Sequence, residues 1–182
     1  MKPMLRTRVF VAAGSNVEPE RNLAKAAAAL TQEFPDIEFS PWYRNEAVGF
    51  EGDDFINFVL GFSTDLPVHD VLAKLRAVEA LCGREPGAPK WAPRSMDLDI
   101  LMYGDLVHDE PGLHLPRPDL LKRPFMLGPM ADLVPDLRHP TVNATIGELW
   151  RRFDRAAHPM TRVPPSFTNP RSARHPPQGS GR

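Results

Sequence analysis

Four stretches of strand-like patterning and two of helical periodicity follow one another along this chain, in an order that leaves few folds open. Residues 9–13 (VFVAA) form an unbroken apolar run, the mark of a buried strand. Leu23, Ala26, Ala27 and Leu30 then recur at helical spacing behind Pro19, with Glu18 and Glu20 supplying acids to the first turn. Residues 37–45 and 55–64 return to strand patterning, and the second puts Phe55, Asn57, Val59 and Gly61 on one face. The clearest helix follows, its inner stripe made of Val68, Val71, Leu72, Leu75, Val78 and Leu81 and its end marked by Gly83. A fourth strand spans residues 95–103, and after the turn at Gly104 and Asp105 the chain is expected to pair back through residues 106–108. A proline-punctuated stretch with two short helices and a last helix over residues 146–153 complete the chain. The order β-α-β-β-α-β predicts an α+β protein: a ferredoxin-like core with a mainly antiparallel sheet and helices packed on it.

A chain of 182 residues can bury such a core as one domain without staples. The single cysteine, Cys82, excludes an intramolecular disulfide and suits a reducing compartment. A net charge of −1 predicts no nucleic-acid partner, and no apolar run reaches membrane-spanning length. The apolar segment near the N-terminus is too short for a signal peptide, so the expected location is the cytoplasm. No obligate protein partner is expected either. Residues 157–182 hold six prolines and four arginines and no acid, a composition that buries too little apolar surface to offset its ordering entropy. The expected organisation is therefore a domain over 1–156 and a disordered tail over 157–182.

Chemistry concentrates in "KWAPRSMDLDILMYG", residues 90–104. Strand alternation puts Asp97 and Asp99 on one face, roughly 6.5–7 Å apart at Cα, and Leu98, Ile100 and Met102 on the other. Two neighbouring carboxylates repel unless a cation lies between them. An isolated Asp-x-Asp is weak ground for a metal, because acids are common on exposed sheet faces. Here Arg84, Lys90 and Arg94 lie in or beside the loop that feeds the strand, and Arg117, Lys122 and Arg123 lie in a later loop. Hard oxygen ligands suit Mg²⁺, and arginines offer the forked donors that phosphate oxygens accept. Carboxylates for metal with arginines for phosphate is the layout of a phosphoryl-transfer site. Gly14, Ser15 and Asn16 lack P-loop spacing and read as a strand-to-helix turn, and the histidines His108, His114, His139, His158 and His175 show no zinc-ligand spacing.

"WAPRSMDLDIL" resembles the signature of the 6-hydroxymethyl-7,8-dihydropterin pyrophosphokinase family, W-[GA]-P-R-x-x-D-[LIV]-D-[LIVM]. "VFVAAGSN", "WYRNEAVG", "DFINFVL", "VEALCGR" and "LPRPDLLKRPFMLGPM" are similar to other family segments, in the family's order, from about Val9 to Phe153. The resemblance implies an α-β-α sandwich that transfers the terminal diphosphate of ATP to the hydroxymethyl group of a dihydropterin and releases AMP. It implies that Asp97 and Asp99 bind two Mg²⁺ ions, with Arg84 and Arg94 as further catalytic residues. Glu79, Arg84, Trp91, Arg94, Ile100, Arg117 and Arg123 match the ATP site. Asn45, Val48, Phe55, Asn57, Trp91 and Phe125 match the pterin site, the two phenylalanines as the pair that stacks the ring. Residues 85–92 match the closing loop.

Several positions depart from the family's pattern. Arg117 stands where a histidine is usual, Pro86 where some members have arginine, Arg76 where a glutamine faces ATP, and Gly112 at a basic position. These changes bear on nucleotide affinity more than on chemistry, because both aspartates remain. They also motivate an alternative, a non-catalytic pterin- or nucleotide-binding paralogue. A nucleotidyltransferase fits poorly, since about eighty residues separate the Gly-Ser turn from the acids.

Overall fold

The computed structural model describes residues 6–46, 53–83 and 96–164. Strand β1 (Thr7–Ser15) leads into α1 (Pro19–Glu33), whose first proline needs no N–H partner and whose Leu23, Ala26, Ala27 and Leu30 are all buried. Next come β2 (Glu38–Phe39), β3 (Trp42–Asn45) and β4 (Phe55–Thr64), then α2 (Val68–Leu81) and β5 (Asp97–Tyr103). The hairpin β6 (His108–Glu110) and β7 (Leu113–Leu115) follows. After it come a 3-10 turn (Pro118–Leu121), α3 (Pro124–Leu133), α4 (Ile146–Arg152) and β8 (Thr161–Val163).

The main sheet runs β5-β1-β4-β3-β8, with β2 also on β4, and every pairing is antiparallel. This is the expected β-α-β-β-α-β arrangement, with the first and last core strands side by side in the sheet. One face packs on α1 and α2 through Val9, Val11, Phe58, Leu60, Phe62 and Leu98. There Trp42 stacks on Phe58 at 5.1 Å and Phe34 on Phe62 at 3.7 Å. Each such buried side chain contributes roughly 1.5–3 kcal/mol relative to exposure. The opposite face packs on α3 and α4 through Phe10, Val59, Leu101, Leu127 and Ile146. Helix α4 opens with a capping box in which the Thr145 hydroxyl accepts from Glu148 N–H and the Glu148 carboxylate from Thr145 N–H.

Five expectations need correction. The strand over residues 37–45 is two strands: Pro41 has no N–H to give, and the Ser40 hydroxyl instead accepts from Val59 N–H at 2.9 Å. Leu81 is 52% exposed and not on the inner stripe, whereas Glu79 is buried. Met102 does not share the face of Leu98 and Ile100, because the β1–β5 register shifts between Phe10 and Val11 and turns it toward Phe10 and Leu101. The segment after Gly104 pairs with β7 in a hairpin of its own and not with β5. In that hairpin Gly112, with φ 85°, takes the left-handed corner after Pro111. Finally, β8 lies within the stretch read as a disordered tail: Trp42, Tyr43 and Arg44 of β3 pair with Val163, Arg162 and Thr161. Unpaired backbone on the β3 edge gains partners there, an interaction that composition does not register.

Candidate active site

Register, more than any single motif, assembles the site. In β1 Gly14 is paired with Asp97 on one side and Asn57 on the other, and β3 continues the row with Tyr43 opposite Asn57. One step along, Ala12 separates Asp99 from Val59. Asp97, Asp99 and Asn57 therefore project from the same sheet face, the one partly covered by α3. The glycine in the middle leaves room for the amide: a Cβ there would lie 2.5 Å from Asn57 Oδ1, and the Asn57 side chain would have to shift. Sequence reading took Gly14 for a turn residue only, and nothing local reveals a close approach made from the neighbouring strand.

Asn57 is 7% exposed, and its Nδ2 donates to Asn45 Oδ1, while Asn45 Nδ2 donates to the Glu46 carbonyl at 3.0 Å. Phe55 lies opposite Asn45 at the start of β4. Phe125 sits in the first turn of α3, half-buried against the second core, directly after Arg123 at the N-cap and Pro124. Arg123, Phe125, Asn45 and Arg44 line a cavity of about 520 Å³, a volume within the usual range for small-molecule pockets. One wall is formed by residues 157–161, the run that leads into β8 and lies in the expected tail. The run is tied down where β8 meets β3. Arg162 Nη2 donates to the Tyr43 hydroxyl at 3.1 Å, and that hydroxyl donates to Asp132 of α3. Burial, followed by the Asp132 hydrogen bond, pushes the Tyr43 phenol above its ordinary pKa, with Arg162 opposing.

At the other end of the row, Asp97 and Asp99 are partly exposed on β5. Arg117 brings Nη1 to 3.7 Å from Asp99 Oδ1 and Nη2 to 3.5 Å from Asp119 Oδ2. Its backbone N–H donates to the Leu101 carbonyl at 2.9 Å, which docks the segment after β7 alongside β5. Its Nε is buried and finds no hydrogen-bond partner among the described residues. A cation beside one of two adjacent carboxylates relieves their repulsion.

Glu79 is 2% exposed and works from behind the strand. Its Oε2 accepts from Leu98 N–H, between the two aspartates, at 3.0 Å, and its Oε1 accepts from Arg76 Nη1 at 2.6 Å. Arg76 also donates to the Leu98 carbonyl at 3.0 Å and so braces β5. The Ile100 side chain is 3% exposed among the α1 and α2 core residues, facing away from the aspartates. Only its backbone remains for a nucleotide. Val48, Arg84, Trp91 and Arg94, with the loop over 85–92, lie outside the described residues.

Residues 10–135 match the family model of 7,8-dihydro-6-hydroxymethylpterin-pyrophosphokinase (HPPK). The chain is 38% identical over 137 residues to the 2-amino-4-hydroxy-6-hydroxymethyldihydropteridine pyrophosphokinase of Pseudomonas aeruginosa, covering 73% of this chain and 84% of that protein. It is 37% identical over 142 residues to the protein of the same name from Aquifex aeolicus, covering 77% and 88%. Among solved structures, the HPPK-DHPS of Plasmodium falciparum superposes with a TM-score of 0.66 at 12% identity, over 83% of this chain and 46% of that longer one. At such identity the likeness concerns the fold.

Proposed function

The chain belongs to the 7,8-dihydro-6-hydroxymethylpterin-pyrophosphokinase family, and from that premise we propose a division of labour along one row of its sheet. The activity is the transfer of diphosphate from ATP to the hydroxymethyl group of 6-hydroxymethyl-7,8-dihydropterin in folate biosynthesis, with release of AMP. Asp97 and Asp99 hold magnesium at the β5 end of the row, and Asn57, Asn45, Phe55 and Phe125 hold the pterin at the β4 end. Gly14 keeps the interval between them free of side chain. The observation that carries this reading is the register Asp97–Gly14–Asn57, which aligns a carboxylate and a buried amide on one face of the sheet.

The donor set fits the metal. Two carboxylates one residue apart offer hard oxygens of the kind Mg²⁺ prefers, and a guanidinium already stands beside one of them as counter-charge. When bound, Mg²⁺ neutralises triphosphate oxygens and lowers the cost of charge build-up in an in-line displacement. The protein's share is positioning. Arg117 and Arg123 offer donors to phosphate oxygens, and Asn57 and Asn45 offer amide donors and acceptors to the pterin edge. Phe55 and Phe125 present aromatic faces suited to a flat heterocycle. Arg84, Arg94 and Trp91 complete the nucleotide side, and the loop over 85–92 excludes water around the transferring group. Val48 adds a contact to the pterin.

Among the described residues no helix is long and apolar enough to cross a membrane. The single cysteine suits a reducing compartment, and we place the enzyme in the cytoplasm. Incubation with ATP, Mg²⁺ and the hydroxymethyl-dihydropterin tests the reading: the pterin diphosphate and AMP should appear in equal amounts, and ADP as product would refute diphosphoryl transfer.

A further inference from the structure

Away from the aspartates, the fold draws together three side chains that are scattered in sequence. His69 lies in the first turn of α2, while His108 and Glu110 are alternate residues of β6 and share a face. Their cross-strand partners are Leu115 and Leu113, both buried, so that face looks inward toward α2. Nε2 of His69 lies against Glu110 Oε1, and Nε2 of His108 lies 3.0 Å from the same oxygen. One donor atom from each of the three residues sits within 4.8 Å of the other two. The imidazoles meet edge to face, with centroids 6.2 Å apart and planes at 87°, so neither ring blocks the other's nitrogen.

From this geometry we infer a binding site for a divalent transition-metal ion of the zinc class, made by His69, His108 and Glu110. Two imidazoles and a carboxylate are ligands that suit Zn²⁺, Co²⁺ or Ni²⁺ better than Mg²⁺ or Ca²⁺. Ligand bonds of about 2.0–2.2 Å put the donors of a tetrahedral ion about 3.3 Å apart, so His108 Nε2 and Glu110 Oε1, now at 3.0 Å, would part only slightly to admit one, within the 4.8 Å that bounds the cluster. The hydrogen bond between His69 Nε2 and Glu110 Oε1 accounts for two of the three side chains and leaves His108 outside it. His108 Nε2 is buried and, although 3.0 Å from a carboxylate oxygen, makes no hydrogen bond of acceptable geometry with any described residue. A lone pair directed at a shared ion needs no such alignment with the oxygen. His69 and Glu110 are 60% and 37% exposed at their side chains, leaving room for water at the remaining coordination position.

The site is separate from the proposed catalytic one. Glu79, which backs the aspartate strand, is ten residues further along α2 than His69, about 15 Å at the helical rise. A bound ion would clasp the β6–β7 hairpin to the start of α2, and so secure the stretch that leads directly to Arg117. Its role is structural: an ion that binds only the folded chain raises stability by mass action.

The test uses chelator-stripped full-length chain in excess Mg²⁺, which occupies hard-oxygen sites, titrated with Zn²⁺ by calorimetry and with Co²⁺ by visible absorption. One equivalent should bind at micromolar ion, with the intense bands of low-coordinate cobalt, and Zn²⁺ should raise the thermal midpoint. His69→Gln and Glu110→Gln, both at the surface, should each weaken binding at least about tenfold, since even outer-shell partners are worth 10–100-fold. They should also abolish the thermal shift, with turnover under saturating Mg²⁺ unchanged. Absence of uptake at tens of micromolar Zn²⁺, or uptake equal in wild type and both variants, would overturn the assignment.

Discussion

Arg117 holds its guanidinium Nη1 3.7 Å from Asp99 Oδ1, against one of the two carboxylates proposed for magnesium. The charge is set there before any nucleotide arrives, by a backbone hydrogen bond to Leu101 and a second acid, Asp119. The forked guanidinium reaches two carboxylate oxygens, on Asp99 and Asp119, where an imidazole would reach one. Arg117→Ala should raise the KM for ATP about tenfold, a loss of ~1.4 kcal/mol of uniform binding, with kcat changed less than about threefold. Steady-state AMP formation at varied ATP checks this, and a fall in kcat at unchanged KM would place Arg117 in the chemical step instead.

Gly14 carries the second prediction. Because a Cβ at this position would meet Asn57 Oδ1 at 2.5 Å, Gly14→Ala must push the Asn57 amide off its present rotamer and away from Asn45. The stability lost is that of the Asn57–Asn45 hydrogen bond, about 1 kcal/mol. The KM for the pterin should rise at least about tenfold while that for ATP moves little, since Asn57 faces only the acceptor in the proposed arrangement. Equal changes in both constants would mean that the whole row had moved.

How much of this was legible beforehand depends on whether the signal was local. The Asp97 and Asp99 face, the β4 face with Phe55 and Asn57, and the buried stripe of α1 follow from period alone, and the structure has them so. Leu81 leaves its expected place on the inner stripe because the end of α2 meets the β5 backbone, whose Leu98 N–H takes its acceptor from the buried Glu79 carboxylate. The β1–β5 bulge, the β8 pairing and the wall built by residues 157–161 are long-range agreements between segments, invisible in either segment alone. The His69, His108 and Glu110 cluster is the same case: no spacing signals it, because α2 and β6 bring the ligands together.

Asp97 and Asp99 should be separable from the fold. Both are partly exposed, at the start of a strand whose packing comes from Leu98, Ile100, Leu101 and Met102. Asp97→Ala and Asp99→Ala should each lower kcat by about 10³ or more, the scale on which single transition-state electrostatic contacts act, yet leave the unfolding free energy from urea denaturation within about 0.5 kcal/mol. Removing Mg²⁺ with chelator should silence the wild type to the same degree. Folding lost together with activity would make the pair structural.

His139 makes stability depend on pH far from the site. It is 6% exposed, and its Nδ1 accepts from Val142 N–H at 3.1 Å and Thr141 N–H at 3.2 Å, closing the turn before α4. Burial lowers its pKa below the ordinary imidazole value, so the folded chain favours the neutral ring. Between the folded and unfolded values the unfolded chain binds more protons, and stability therefore rises with pH across that window. The contribution is present in full above about pH 6.5 and is lost as pH falls through the depressed folded value, when a proton on Nδ1 would also confront two N–H donors. Urea denaturation at pH 7.5 and pH 5 should show the wild type losing more stability on acidification than His139→Asn, whose side-chain oxygen can accept from the same donors without titrating. An equal loss in both proteins would remove His139 as the cause.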